Sequence, residues 1–215
     1  MNFFEVLIDF IYPEKNICFI CDEHYKGIKN NLCNECREKL PVINHVFNEG
    51  IICSLRYEGI VKDLIYKYKY GKCSYLYKLF GNIMTETFLQ TELKNIDIIV
   101  PIPLHRTKKA KRGFNQSELL ASYIAKKLDI DMDGKNLCRI KKTKSQSGLT
   151  KRERHKNIEG AFKVIDKDIF LDKTILIVDD IFTSGSTYAE ASNELLKCGA
   201  KKTYLITIAT GRDLL

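Results

Sequence analysis

The chain has 215 residues, 45% hydrophobic and 29% charged, which gives enough length and apolar content for a substantial core and excludes a disordered chain. Lysine and arginine number 35 against 27 aspartate and glutamate, and the resulting charge of +8 favours anionic partners such as phosphorylated metabolites or nucleic acid. No apolar run approaches the roughly 20 residues of a membrane-spanning helix, so no membrane span is expected.

The N-terminal MNFFEVLIDFIYPEK is apolar but carries Glu5 and Asp9 within its apolar run, with no basic leader and no small-residue cleavage site. The expectation is an amphipathic helix packed on the body and ending near Pro13, in a cytoplasmic protein. Cys18, Cys21, Cys33 and Cys36 follow as two C-x-x-C pairs with an eleven-residue spacer. Two thiolate pairs presented by tight turns make a tetrahedral sulfur site for zinc. Disulfides are the alternative, disfavoured in a cytosolic chain, and a thioredoxin-like redox pair needs no matching second pair. His24 and His45 could replace a thiol, though four thiols already complete the shell. A knuckle of about thirty residues cannot stabilise itself on apolar burial. Metal ligation, worth roughly 10–16 kcal/mol in small metal domains, would supply its folding energy, so the zinc is expected to be structural. Cys53, Cys73, Cys138 and Cys198 lack ligand spacing and read as small core residues. The expected organisation is a helix and zinc knuckle over residues 1–44 and a main domain over residues 45–215.

Pro41 opens the link into the main body. Ile51–Tyr57 reads as a strand, Glu58-Gly59 as a turn, and Val61, Leu64, Ile65 and Tyr68 as one apolar helical face. Between Lys62 and Lys78, basic residues alternate with Tyr66, Tyr68, Tyr70, Tyr75 and Tyr77. Such interleaving can stack and neutralise single-stranded nucleic acid, but spacing alone favours half-buried tyrosines with lysines facing water. A second helix is expected from about Tyr75 to Phe88.

Ile96–Val100 is a further apolar strand, and Pro101-Ile102-Pro103 after it fixes a loop that cannot simply continue the strand. The basic run from Arg106 to Arg112 then precedes Asn115, which with Glu118 resembles a helix N-cap pair ahead of Leu120, Ile124 and Leu128. Five basic side chains there could cover a pyrophosphate or a nucleic-acid backbone, or form only a solvated loop. The position after a strand end, where ligands bind open α/β sheets, favours function. Leu137–Ile140 is a short strand candidate. The polar stretch Lys141–Asn157 is long for a connection and reads as a functional lid or a disordered loop, with Lys151, Arg152, Arg154 and Lys156 able to swing over an anionic substrate. Order resumes at Gly160–Val164, and Tyr204–Ala209 reads as the last strand.

The stretch Ile175–Thr187, ILIVDDIFTSGST, carries the most chemistry. Its four aliphatic residues suit a strand buried on both faces of a parallel sheet, with Asp179 and Asp180 at its expected end. The turn Thr183-Ser184-Gly185-Ser186-Thr187 leads into a helix bearing Tyr188, Ala191, Leu195 and Cys198, with Gly199 as its stop. Gly185 permits a positive φ, and the helix N-terminus adds unpaired donors, a combination that cradles a phosphate. Two carboxylates cannot hold that phosphate, but they accept hydrogen bonds from ribose hydroxyls or help hold a divalent cation. A ribose 5-phosphate fits that pairing. A nucleotide-triphosphatase metal strand would need a G-x-x-x-x-G-K-[ST] loop, which the chain lacks, and a phosphoacceptor domain would not place a hydroxyl turn directly after its acids.

The order of these parts resembles the ComF (ComF/GntX) family of competence-associated, phosphoribosyltransferase-like proteins. The resemblance rests on the paired cysteines, VPIPLH at Val100–His105, RGFNQ at Arg112–Gln116, Gln146, Leu149, the Glu153–Phe162 run and VDDIFTSGST at Val178–Thr187. It implies a type I phosphoribosyltransferase-like α/β fold with a twisted, mainly parallel sheet flanked by helices. Asp179 and Asp180 match the family's ribose-binding acids, and Thr183, Ser184, Gly185, Ser186 and Thr187 its 5-phosphate loop. Pro101, Ile102 and Pro103 lie at the pyrophosphate position, and Arg112 and Arg154 join the expected binding residues. TSGST stands where relatives often have TTGAT, a change that keeps size and donors. The implied ligand is phosphoribosyl pyrophosphate with Mg²⁺, and the implied reaction is displacement of pyrophosphate from ribose C1 by a nitrogenous acceptor. The resemblance also implies a role in natural transformation, with single-stranded DNA and a competence helicase as partners. A phosphoribosyltransferase of nucleotide salvage or biosynthesis with no DNA role, a non-catalytic sensor, and a homo-oligomer stay open as alternatives.

Overall fold

In this computed structural model residues 16–212 are described, apart from 27, 29, 44–45, 48–49, 72 and 144–149. The helix expected up to Pro13, together with His45, Gln146 and Leu149, lies outside the described residues.

The central sheet is built around β6 (Thr174–Phe182) and β7 (Lys202–Thr210), which pair in parallel. β2 (Ile51–Arg56) adds in parallel to the outer side of β7, and the short β1 (Val46–Phe47) pairs antiparallel with β2. β3 (Ile98–Pro101) runs parallel to the other side of β6, giving the order β1-β2-β7-β6-β3. The alternation within β6 explains its central place. Ile175 and Ile177 pack into one buried cluster and Leu176 and Val178 into the other, and all four are fully buried. A strand with two apolar faces is stable only when both are covered, here by helices.

On one face lie α2 (Gly59–Tyr70), α3 (Leu76–Leu89) and α5 (Gln116–Leu128). On the other lie α7 (Ser186–Lys197) and a two-stranded hood made by β4 (Leu137–Arg139) and β5 (Phe162–Val164), which pair antiparallel. Glu190 and Glu194 of α7 bind this hood region through its backbone, accepting from Gly160 N–H at 2.7 Å and Val164 N–H at 3.3 Å. The architecture is the expected mainly parallel sheet flanked by helices. Near the N-terminus the knuckle carries α1 (Asn34–Glu38), capped by the Cys33 sulfur.

Four local expectations are corrected. The strand bearing the acids does not end at Val178 but runs to Phe182, because β7 continues opposite it, pairing Asp179 with Thr207 and Ile181 with Ala209. The basic run is not a loop but helix α4 (Arg106–Arg112), capped by His105 accepting from Thr107 N–H and ended by Gly113 at φ 86°. The polar stretch read as a lid contains helix α6 (Lys151–Ile158), started by a capping box in which Thr150 and Glu153 satisfy each other's backbone N–H groups. Cys73 and Cys138 are half-buried rather than core residues, while Cys53 and Cys198 are buried. Among the described residues no helix is long and apolar enough to cross a membrane.

Candidate functional site

The far end of β6 and the N-termini of α5 and α7 meet at a cleft of about 1090 Å³. Asp179 and Asp180 form its floor. The Oδ1 of Asp179 accepts from Ser117 Oγ at 3.0 Å and from Asp180 N–H at 2.8 Å. Burial and then the adjacent Asp180 charge push the Asp179 carboxyl up to about 7, more than the hydrogen bonds and Lys69 bring it down. Asp180 is paired differently, with Lys69 Nζ of α2 at 2.9 Å, both side chains being 18% exposed. Burial alone would lower the Lys69 pKa, but the charge and hydrogen bond of Asp180, with Asp179 behind it, raise it overall. The two adjacent acids are therefore unlike. One is paired with an ammonium, while the carboxyl of the other is raised by its burial.

At the side of this floor, Thr183–Thr187 turns the chain into α7. Gly185 takes φ 81° and ψ −5° ahead of the first helical residue. A Cβ there would come within 3.3 Å of the Phe182 ring, so both conformation and space call for glycine. Ser184 and Ser186 share a hydroxyl contact at 2.8 Å inside the turn, and Arg212 donates to the Ser184 carbonyl at 2.9 Å while its guanidinium lies 5.1 Å from the Phe182 ring centre. The α7 N-terminus, its Ser186 N–H held by Ser184 Oγ at 3.3 Å, thus brings the positive end of a helix beside the acids.

The opposite wall is basic. Lys69, Lys108, Lys111, Arg112, Arg139 and Arg154 line the cleft against only the two aspartates. Burial, then Arg139 and Arg112, lower the Lys108 pKa. Burial lowers that of Arg139 too, partly offset by Asp179. Arg112 donates to Gln116 Oε1 at 2.5 Å, and Asn115 both caps α5 through Ser117 N–H and donates to the Ile102 carbonyl at 3.0 Å. The RGFNQ motif therefore ties the proline segment, the basic helix and α5 into one unit. Two buried donors at this wall, Arg139 Nε and Gln116 Nε2, have no hydrogen-bond partner among the described residues. Unmet donors and excess positive charge fit a multiply anionic ligand.

Of the residues singled out in the sequence, Asp179, Asp180, Thr183, Thr187, Ile102, Arg112 and Arg154 are brought together on this cleft. Gly185 borders a small pocket beside it with Asp179, Thr183 and Thr187. Pro101 and Pro103 do not line the cleft, Pro101 being the last residue of β3, and Ser184 and Ser186 bond to each other within the turn. Sequence reasoning missed Lys69, Ser117, Arg139 and Arg212. Ser117 was open to discovery, because it follows the Asn115 cap at the first turn of a helix that begins beside the acids.

The four-cysteine centre is separate. The sulfurs of Cys18, Cys21, Cys33 and Cys36 all lie within 4.8 Å of one another. A tetrahedron with metal–sulfur bonds of about 2.3 Å needs sulfurs about 3.8 Å apart, so the set fits zinc. Burial raises the Cys18 thiol, but backbone N–H groups of Cys33, Cys21 and Ile20 outweigh it and bring it down to about 7. His24 bridges Ile17 through the backbone and is not part of the cluster. The centre is joined to the body by the Phe19 and Tyr75 rings, 4.9 Å apart, and by Arg37 paired with Glu86 at 2.9 Å. Cys18, Leu32, Cys33, Cys36 and Leu40 belong to the same buried cluster as the helices over the sheet.

A phosphoribosyl transferase domain matches residues 114–213, which hold both acids, the glycine turn and Asn115. The chain is 25% identical over 212 residues to Competence protein F of Haemophilus influenzae, covering 86% of this chain and 93% of that protein. It is 30% identical over 172 residues to DNA utilization protein YhgH of Salmonella typhimurium, covering 78% of this chain and 73% of that protein. Among solved structures, the allosteric regulatory enzyme of purine biosynthesis aligns with 61% of this chain at 13% identity and a TM-score of 0.42, and the chain spans about a quarter (26%) of that enzyme. The chain belongs to the ComF family of phosphoribosyltransferase-like proteins.

Proposed function

We propose that the cleft binds phosphoribosyl pyrophosphate together with Mg²⁺, and that it does so in a cytoplasmic protein of natural competence that handles single-stranded DNA. The single observation that carries the ligand reading is the acid pair, Asp179 bound by Ser117 and Asp180 by Lys69, set between a glycine-turn helix N-terminus and a wall rich in lysine and arginine. The turn and the first N–H groups of α7 hold the 5-phosphate. Asp179 and Asp180 accept from the ribose 2- and 3-hydroxyls, and the basic wall holds the pyrophosphate. Mg²⁺ held with the help of the Asp179 and Asp180 carboxylates would supply charge neutralisation for the leaving pyrophosphate. Ser117 keeps Asp179 oriented through its hydrogen bond, and Lys69 holds Asp180 through their ion pair.

On this reading an enzyme would break the ribose C1–pyrophosphate bond and form a bond to a nitrogenous acceptor, with charge on the leaving group stabilised by Arg112, Lys108 and Arg139. The competence and DNA-utilization names of relatives support a setting in DNA uptake. The four-cysteine centre is read as structural zinc, because its four sulfurs lie within 4.8 Å of one another and three of them, those of Cys18, Cys33 and Cys36, belong to the shared core. Pyrophosphate release, measured from phosphoribosyl pyrophosphate with Mg²⁺ across a panel of bases and amines, tests the catalytic reading. Release dependent on one acceptor and lost in Asp179→Ala is the expected outcome. A ligand that binds and is never turned over leaves a sensor as the function of the same cleft.

A further inference from the structure

The spacing of helix α2 predicts half-buried tyrosines with lysines facing water, and of its tyrosines Tyr68 is buried, its hydroxyl donating to the Gln116 carbonyl at 2.9 Å. Tyr66 and Tyr70 do the opposite. They are 65% and 60% exposed, their rings lie 5.1 Å apart, and both line the cleft. The ladder continues inward, with the Arg112 guanidinium 5.1 Å from the Tyr70 ring centre. Tyr57 lies on the same rim under Lys62, whose ammonium stands 5.8 Å from its ring centre. Their mutual contact and the Arg112 guanidinium cover only part of two large aromatic side chains that otherwise stand open to water. Nothing in their packing requires tyrosine there.

We propose that Tyr66 and Tyr70 form a stacking platform for consecutive unpaired bases of a nucleic-acid strand, leading one end of that strand into the cleft. The proposal rests on the DNA-handling part of the proposed function and is independent of the phosphoribosyl pyrophosphate part. A strand fits better than a free base because cations flank the rings on both sides. Lys62 and Lys67 lie on the exposed face of α2, and Lys108, Lys111 and Arg112 lie across the rim. A free base needs a π-face alone, whereas a strand needs π-faces interleaved with phosphate-neutralising charge. The Arg112 guanidinium beneath Tyr70 links the platform to the wall that would hold pyrophosphate, so strand and pocket ligand share one cation.

The test is fluorescence anisotropy of a labelled oligothymidylate titrated with the full chain, with Tyr66→Ala, the Tyr66→Ala/Tyr70→Ala pair and the Tyr66→Phe/Tyr70→Phe pair as variants. Each removed ring is expected to weaken binding by about fivefold to 150-fold. The phenylalanine pair should bind within about threefold of wild type, because stacking uses the ring and not the hydroxyl. The slope of affinity against salt should be unchanged in both pairs, since neither variant removes a charge. Circular dichroism and melting of the variants check folding, and exposed rings should leave both unaltered. Wild-type affinity in the alanine pair overturns the platform and leaves DNA handling standing. Equal losses in the phenylalanine and alanine pairs, or thymidine competing as well as the strand, also overturn it. A wild-type chain that binds no oligothymidylate at all overturns both the platform and the DNA-handling reading, and leaves the pocket reading to its own assay.

Discussion

Replacing Asp179 by Asn should stabilise the protein, and more so at alkaline pH. The folded carboxyl stands at about 7 against an ordinary 3.8. Below 3.8 both folded and unfolded chains hold the proton and nothing is lost. Between 3.8 and 7 the folded chain retains a proton that the unfolded chain has released, so stability falls as pH rises, and above 7 the whole penalty is present. At roughly 1.4 kcal/mol per unit the limit is about 4 kcal/mol at pH 8 and about 2 kcal/mol at pH 5. Solvent in the open cleft reduces both, leaving a difference of about 2 kcal/mol between the two conditions. The amide oxygen of Asn can still accept from Ser117 Oγ and Asp180 N–H, so the substitution removes charge without orphaning donors. For a chain of this length the gain should raise Tm by roughly 4–8 °C more at pH 8 than at pH 5. Scanning calorimetry of both proteins across that range is the assay. An Asn variant less stable than wild type at pH 8, or a gain equal at both pH values, would refute the reasoning.

The remaining predictions concern the acid's partner, the turn and the cysteine centre. Lys69→Ala leaves Asp180 without its ammonium and should cost about 1–3 kcal/mol in urea denaturation, less than a fully buried pair because both groups keep some water. A Lys69/Asp180 double-mutant cycle showing coupling below about 0.5 kcal/mol would contradict that. Gly185→Ala puts a Cβ at φ 81° against Phe182 and should destabilise by roughly 1–3 kcal/mol while weakening ligand binding further, read by melting with and without ligand. Purified protein should carry one zinc per chain by elemental analysis, and a strong chelator should lower Tm sharply because Cys18, Cys33 and Cys36 share the body's core. Protein that is metal-free yet equally stable would remove the structural role.

How far the sequence could be read depended on whether an element's partners were local. Ile175–Val178 was legible because four β-branched and aliphatic residues in a row leave few options, and the buried face Val61, Leu64, Ile65 and Tyr68 of α2 appeared in its own spacing. The extension of β6 to Phe182 was not legible, because it is set by register with β7, some thirty residues away. Helix α4 has no buried residue and hence no apolar period, and only its capping His105 and terminal Gly113 mark it. Helix α6 did carry a readable signature, the Thr150–Glu153 capping box, hidden within a run whose charge suggested a lid. At the site, the acids and glycine turn announced themselves because contiguous residues make them. Lys69 and Arg139 come from distant segments, and in sequence a lysine that neutralises Asp180 looks the same as its solvated neighbours.

On the function proposed above, the cleft over Asp179 and Asp180 holds phosphoribosyl pyrophosphate with Mg²⁺. The most direct measurement is the melting temperature of the wild-type chain and of the Asp179→Ala/Asp180→Ala variant, each with and without that ligand at saturating Mg²⁺. At a hundred times Kd the ligand stabilises the native state by about 2.7 kcal/mol, a rise of roughly 5–10 °C for wild type, with no ligand-dependent rise in the variant. A wild-type Tm unmoved by millimolar ligand, or an equal rise in the variant, contradicts the account.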